Sequence, residues 1–276
     1  MGAGALLLFV LVLPRCDGLS SDRSTLAAVR RASRTAPGSG VAAQELRRNA
    51  SRALFEGVLA SDDVAGADKH AAICAHLKRV GARSANACPR CWVHEAACCC
   101  LPPVSRAPVD VVLWMHHREW GRASNTGTAL RDAVKNCELL MKGHPDDDAR
   151  LARILERPAA VLFPSEDAVP IASLERVEAL IVVDASWRNA RRMANALPAS
   201  IPRVRLDDGD AAAHNMLAPL RRTVGREGVK VCTAQAAVAA LGDVGWPRHH
   251  QESALAAARR KIDVVAALRG KKLPPE

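Results

Sequence analysis

Short apolar runs alternate with amphipathic stretches along most of this chain. Between Ala50 and Val80, Leu54, Val58 and Leu59, then Ile73, Leu77 and Val80, recur at helical spacing, with a break at Ser61-Asp62-Asp63. Val109–Met115 is continuously apolar and of buried-strand type. Leu130, Val134, Cys137, Leu140 and Met141 then predict one helix from about Gly127 to Met141. Ala159–Phe163 and Ala179–Val183 are two further short apolar runs. A helix over Trp187–Leu197 should stop at Pro198. Ile201–Leu206 and Val229–Cys232 read as strands, and Thr233–Leu241 reads as a helix capped by Thr233.

Strands alternating with helices predict an α/β fold with a mostly parallel sheet flanked by helices. In such sheets ligands gather beyond the carboxyl ends of the strands. Three predicted strands end in polar clusters: His116-His117-Arg118-Glu119 after Met115, Pro164-Ser165-Glu166-Asp167 after Phe163, and Asp184-Ala185-Ser186-Trp187 after Val183. These clusters are the candidate site. No repeat of solenoid period is present.

Composition narrows the class. The 276 residues are 49% apolar and 25% charged, ordinary for a globular protein. The longest clean apolar run, Ala5–Leu13, is about half of the ~20 residues needed to cross a bilayer. Aromatics are only 3%, with no Tyr, which disfavours a single-strand-binding protein built on stacking platforms. The net charge of +10 suits a polyanionic partner without requiring one. Half of it lies in residues 1–52, where eight Arg face three acids. There an apolar start, a break at Pro14-Arg15-Cys16 and a Ser-, Ala- and Arg-rich stretch have targeting-segment composition. This two-part pattern resembles presequences of complex algal plastids; a mitochondrial presequence or a disordered tail are the alternatives. The expected division is a presequence (1–45), a helical extension (46–87), a Cys cluster (88–101), the main α/β domain (104–242) and a basic helix or tail (243–276).

Five of the nine Cys fall within residues 88–100. Cys88-x2-Cys91 followed by Cys98-x-Cys100 supplies four thiolates, the set a tetrahedral Zn²⁺ takes, with Cys99 or His94 as substitutes. Disulfides and an iron–sulfur cluster compete for the same residues. Cys74, Cys137 and Cys232 sit in apolar contexts and read as small core residues.

At the strand ends, Ser124-Asn125-Thr126-Gly127 offers hydroxyls and backbone amides at a helix start, or plain capping. Asp184 must either cap the next helix or do chemistry, and the Trp187 and three arginines that follow exceed what capping needs.

Taken in order, these segments resemble the DTW-domain family of tRNA-uridine aminocarboxypropyltransferases. The resemblance runs from Cys88 to Leu241: the Cys cluster, His116…Glu119…Arg122…Ser124-Asn125-Thr126, Leu162-Phe163-Pro164-Ser165, Leu180–Trp187, Arg203–Leu206, Leu220-Arg221-Arg222 and Thr233–Ala236. Ser186 stands where the family has Thr, His117 replaces a Pro, and Gln235 replaces an acid, which costs that position its charge.

The resemblance implies a SPOUT-like fold with a trefoil knot, and S-adenosylmethionine as donor of its 3-amino-3-carboxypropyl group to uridine N3 in tRNA. It points to Asp184, Ser186 and Trp187 as catalytic, and to His116, Glu119, Ser124, Asn125, Thr126, Pro164 and Ser165 around the donor. Arg188, Arg191, Arg192, Arg203, Arg205, Arg221 and Arg222, with the tail Arg259-Arg260-Lys261 and Lys271-Lys272, are the expected RNA contacts. A non-catalytic zinc-bearing RNA-binding module and an S-adenosylmethionine-dependent RNA methyltransferase are the rival functions.

Overall fold

In the computed structural model the strand-forming segments join into one six-stranded sheet whose pairings are all parallel, in the order β2-β1-β5-β3-β6-β4. The strands are β1 (Asp110–Met115), β2 (Cys137–Met141), β3 (Ala159–Leu162), β4 (Val169–Pro170), β5 (Ala179–Asp184) and β6 (Arg203–Arg205). The helices are α1 (Gly66–Val80), α2 (Gly127–Ala133), α3 (Pro145–Leu155), α4 (Trp187–Asn195), α5 (Thr233–Asp243) and α6 (Arg248–Leu268). The structure describes residues 66–83, 86–103, 105–206 and 231–270. The expected presequence, the helical positions 54–59 and the strand residues Val229 and Lys230 lie outside the described residues. So does the 207–230 segment.

Alternation along the strands builds two cores. Val111, Leu113, Leu180 and Val182 face α2, α5 and α6. Val112, Trp114, Val161 and Ile181 face α3 and α4. Both faces of the sheet are therefore covered, as an all-parallel sheet requires, which is why β1 and β5 read as unbroken apolar runs.

The single helix expected over Gly127–Met141 does not form. α2 ends at Ala133, Val134 is already extended, and Cys137–Met141 is strand β2, paired with β1 from Val111↔Cys137 to Met115↔Met141. Asn136 makes the break. Its Nδ2 donates to the carbonyls of Ala107 (3.1 Å) and Val109 (2.8 Å), and its Oδ1 accepts from Ala107 N–H (2.7 Å), fixing the turn against the entry to β1.

Two further readings change. Cys232 rather than Thr233 caps α5, its sulfur accepting from Gln235 N–H at 3.4 Å. The expected basic tail is in part α6, a 21-residue helix packed on α2 and α5. Among the described residues no helix is long and apolar enough to cross a membrane.

Candidate active site and cysteine cluster

Between β1 and β5 the chain leaves the sheet in opposite directions: β1 continues to α2 on one face and β5 to α4 on the other. Such a switch point opens a crevice at the strands' carboxyl ends. Asp184 ends β5 there, opposite Met115, and His116 N–H donates to its carbonyl at 3.0 Å.

The Asp184 side chain is buried, with both oxygens engaged. Oδ2 accepts from Asn125 Nδ2 at 2.6 Å, and Oδ1 accepts from the Thr233 hydroxyl at 2.9 Å. Burial holds its carboxyl above the usual carboxylate range, and the bonds from Asn125 and Thr233 only partly oppose this. Among the described residues it caps no helix. α4 begins at Trp187 with Ser186 as its cap, so the capping alternative for Asp184 falls away. One carboxylate instead joins the end of β5, the loop before α2 and the start of α5. Gly127 permits the approach, since a Cβ there would meet Asp184 Oδ2 at 2.9 Å. In the sequence Thr233 reads as a helix cap and as part of the Thr233–Ala236 segment of the resemblance, and its bond to Asp184 is visible only as a tertiary contact.

Asn125 and Thr126 are buried, and Asn125 is spent internally: its Oδ1 accepts from Thr128 N–H at 3.2 Å and its amide holds Asp184. Ser124 stays half-buried beside them. Glu119 forms a two-pronged pair with Arg122 at 2.8 and 2.9 Å, and His116 Nδ1 accepts from Arg118 N–H at 3.1 Å. On the far side, Phe163 lies 6.1 Å from Trp187 between ring centroids, which brings the end of β3 to the start of α4. Trp187 is nonetheless 50% exposed, an uncovered aromatic surface in a chain with few aromatics. Pro164 and Ser186 are exposed. The buried Ser165 Oγ has no hydrogen-bond partner of normal geometry, though it lies near enough to help hold the Asp167 carboxyl below the usual carboxylate range. An under-used buried hydroxyl is what a polar ligand would satisfy.

The four expected cysteines come together. Single sulfurs of Cys88, Cys91, Cys98 and Cys100 all lie within 4.8 Å of one another, with Cys88–Cys100 at 3.6 Å and Cys91–Cys98 at 3.9 Å. A tetrahedron with Zn–S bonds of about 2.3 Å has edges of roughly 3.8 Å, so the set fits the ion. None of the described cysteines is in a disulfide. Hydrogen bonds from Cys100, Cys98 and Cys99 hold the Cys91 thiol far below its usual range, while the bond to Cys91 pushes Cys100 up. Sulfurs this close cannot all ionise without a cation among them. Cys99 is outside the set, packed with Val265 of α6, and His94 is the cap of the turn Glu95–Ala97.

The family model described as DTW domain matches residues 85–261, well over half of the chain. The chain belongs to the DTW-domain family. No curated protein and no solved structure matches. The DTW domain is associated with tRNA-modifying transferases, which makes tRNA the substrate class. Within this domain Asp184, Asn125 and Thr233 come from three separated stretches and meet at the switch point of the sheet.

The expected RNA contacts divide. Arg188, Arg191 and Arg192 are exposed on α4 beside Trp187 and, among the described residues, enter no ion pair. Arg205 is half-buried and gives its Nε to the Ala168 carbonyl at 3.1 Å. Arg203 is a correction. Its guanidinium is buried and donates to the carbonyls of Pro198, Ile201, Ala194 and Leu197 at 2.6–3.0 Å, so it closes the end of α4 and is not presented to a phosphate. Arg203→Met should lower stability by about 2–4 kcal/mol, because charge-assisted bonds are lost and buried carbonyls left unpaired. Urea unfolding checks this. Lys261 is a second correction: it is 1% exposed inside α6 and donates to Thr128 Oγ1. Arg221, Arg222, Lys271 and Lys272 lie outside the described residues.

Proposed function

We propose that this DTW-domain protein transfers the 3-amino-3-carboxypropyl group of S-adenosylmethionine to N3 of a uridine in tRNA. The observation that carries the reading is the buried Asp184 carboxylate, held by Asn125 and Thr233 at the switch point of a DTW domain. When bound, the donor supplies an electrophilic γ-carbon attached to a sulfonium that departs as the thioether of methylthioadenosine. The N3–C bond forms as the C–S bond breaks, and the N3 proton needs an acceptor.

Asp184 is that acceptor. Burial has raised its proton affinity, as suits a base facing a weak N–H acid. Asn125 and Thr233 orient the carboxylate, each leaving its oxygen a further lone pair. Trp187 offers its exposed ring for stacking on a base, and Ser186 its hydroxyl. Ser165 and Ser124 contribute hydroxyls toward the donor, with Pro164, His116 and Glu119 shaping the walls. Arg188, Arg191 and Arg192 meet the RNA backbone. The four cysteines hold a structural Zn²⁺, which fixes the segment before β1. The Arg-rich start of the chain supports delivery to an organelle, a plastid of complex algal type ahead of a mitochondrion.

Nucleoside mass spectrometry of tRNA incubated with the protein and S-adenosylmethionine tests the reaction. The expected products are the modified uridine and methylthioadenosine. Adenosylhomocysteine would mark a methyltransferase, and an unmodified tRNA bound without turnover would mark a binding module.

Arg191→Ala with Arg192→Ala should raise KM for tRNA and flatten the salt dependence of binding by about one unit per arginine, leaving donor affinity unchanged. An unchanged salt slope would remove α4 from the RNA interface.

A further inference from the structure

Beyond the four cysteines, a second set of side chains that could hold a metal ion comes together between α1 and the end of β1. His70 and Cys74 are one turn apart on α1, and His117 stands two residues beyond β1; one donor atom from each lies within 4.8 Å of the other two. His70 Nε2 is 3.5 Å from Cys74 Sγ. The His70 and His117 rings meet edge to face at 4.9 Å. We propose that His70, Cys74 and His117 bind a borderline transition-metal ion of the Zn²⁺ class, clamping α1 to the strand end that carries the active site.

Independent observations support the site. His117 Nδ1 is shut off from water with no hydrogen-bond partner, a cost that a ligand bond would remove. The backbone makes room as well. Gly143, after β2, has φ +87°, and a Cβ there would meet His70 Nε2 at 2.5 Å. Any side chain at 143 would displace the imidazole from the cluster.

The donor set selects the ion. Two imidazoles and one thiolate suit Zn²⁺, Co²⁺ or copper and exclude the hard cations, which take oxygen. Three protein ligands leave one tetrahedral position for water or a ligand atom. Cys74 donates to the Lys142 carbonyl at 3.4 Å. A metal bound here would release that thiol proton to solvent.

The site joins two parts of the chain that are well separated in sequence. His70 and Cys74 lie before residue 85, outside the matched DTW domain, whereas His117 lies within it. His116, the preceding residue, donates its N–H to the Asp184 carbonyl. An ion held here would fix the His116 loop at the mouth of the crevice.

The experiment uses the full chain, stripped by chelator under reducing conditions and titrated with Co²⁺. The wild type should take up two equivalents, one with the intense sulfur-to-cobalt bands of four thiolates and one with a weaker single-thiolate band. Cys74→Ser and His117→Gln should each reduce uptake to one equivalent, leaving the four-thiolate spectrum intact. Circular dichroism of both variants confirms that they remain folded, and if one unfolds the other decides. Uptake of a single equivalent by the wild type, or of two by both variants, overturns the proposal. Neither readout depends on the transferase reaction, so failure here leaves the proposed function standing.

Discussion

Asp184→Asn is expected to lower the turnover number about 10²- to 10⁴-fold, while affinities for tRNA and donor change little. The substitution isolates basicity from geometry. The carbonyl oxygen of the new side chain would still accept from Asn125, and its amide would donate to the Thr233 hydroxyl, which serves equally as donor or acceptor. Stability should therefore stay near that of the wild type. If Asp184 were only a post joining β5, α2 and α5, the Asn variant would release methylthioadenosine at a near-normal rate. That result would sink the catalytic assignment. The pH profile supplies a second check. Because burial raises the Asp184 pKa, activity should fall as pH drops through a value above the ordinary carboxylate range, where the base becomes protonated. The Asn variant should lack that acidic limb.

Loss of the four-cysteine metal should have the largest effect on folding. Cys88→Ser with Cys91→Ser should abolish the equivalent of zinc held by these sulfurs and unfold the 86–101 segment. Structural zinc contributes an apparent ~10–16 kcal/mol in small zinc-binding units, far more than this short segment's apolar contacts can replace. The damage should spread, because the segment is pinned to the domain. Arg90 pairs with Asp132 of α2 at 3.4 Å, Arg131 donates to the Arg90 carbonyl, and Cys99 packs on Val265 of α6. A lowered Tm and new protease cleavage between residues 86 and 101 are the expected readouts. Reduced, freshly purified protein with no metal at these cysteines would refute the zinc site, and visible absorption from bound iron would replace it with a cluster.

The cysteine site was legible in the sequence because its ligands are close along the chain. Cys-x2-Cys and Cys-x-Cys each place two thiols within reach of one ion, and the fold has only to bring the pairs together. The core strands were legible for a related reason. A strand buried on both faces must be apolar at every position, and Val111–Met115 and Ala179–Val182 are. With strand ends located, the polar residues that follow them marked the candidate site.

What the sequence could not decide are the partners of each group. The apolar spacing over 127–141 satisfies a helix, but Cys137–Met141 becomes a strand because β1 offers it an edge and Asn136 locks the turn, both non-local facts. Arg203 and Lys261 carry the same charge as Arg191, and no local pattern separates them. The carbonyls ending α4 and the Thr128 hydroxyl absorb two of these cations, leaving Arg191 in solvent. The bond of Thr233 to Asp184 spans 49 residues, and His117 meets Cys74 only because α1 packs beside the end of β1. Periodicity along a chain records which residues are buried and what repeats nearby. The chemistry of Asp184, His117 and Arg203 depends on which distant groups face them, and only the packed structure determines that.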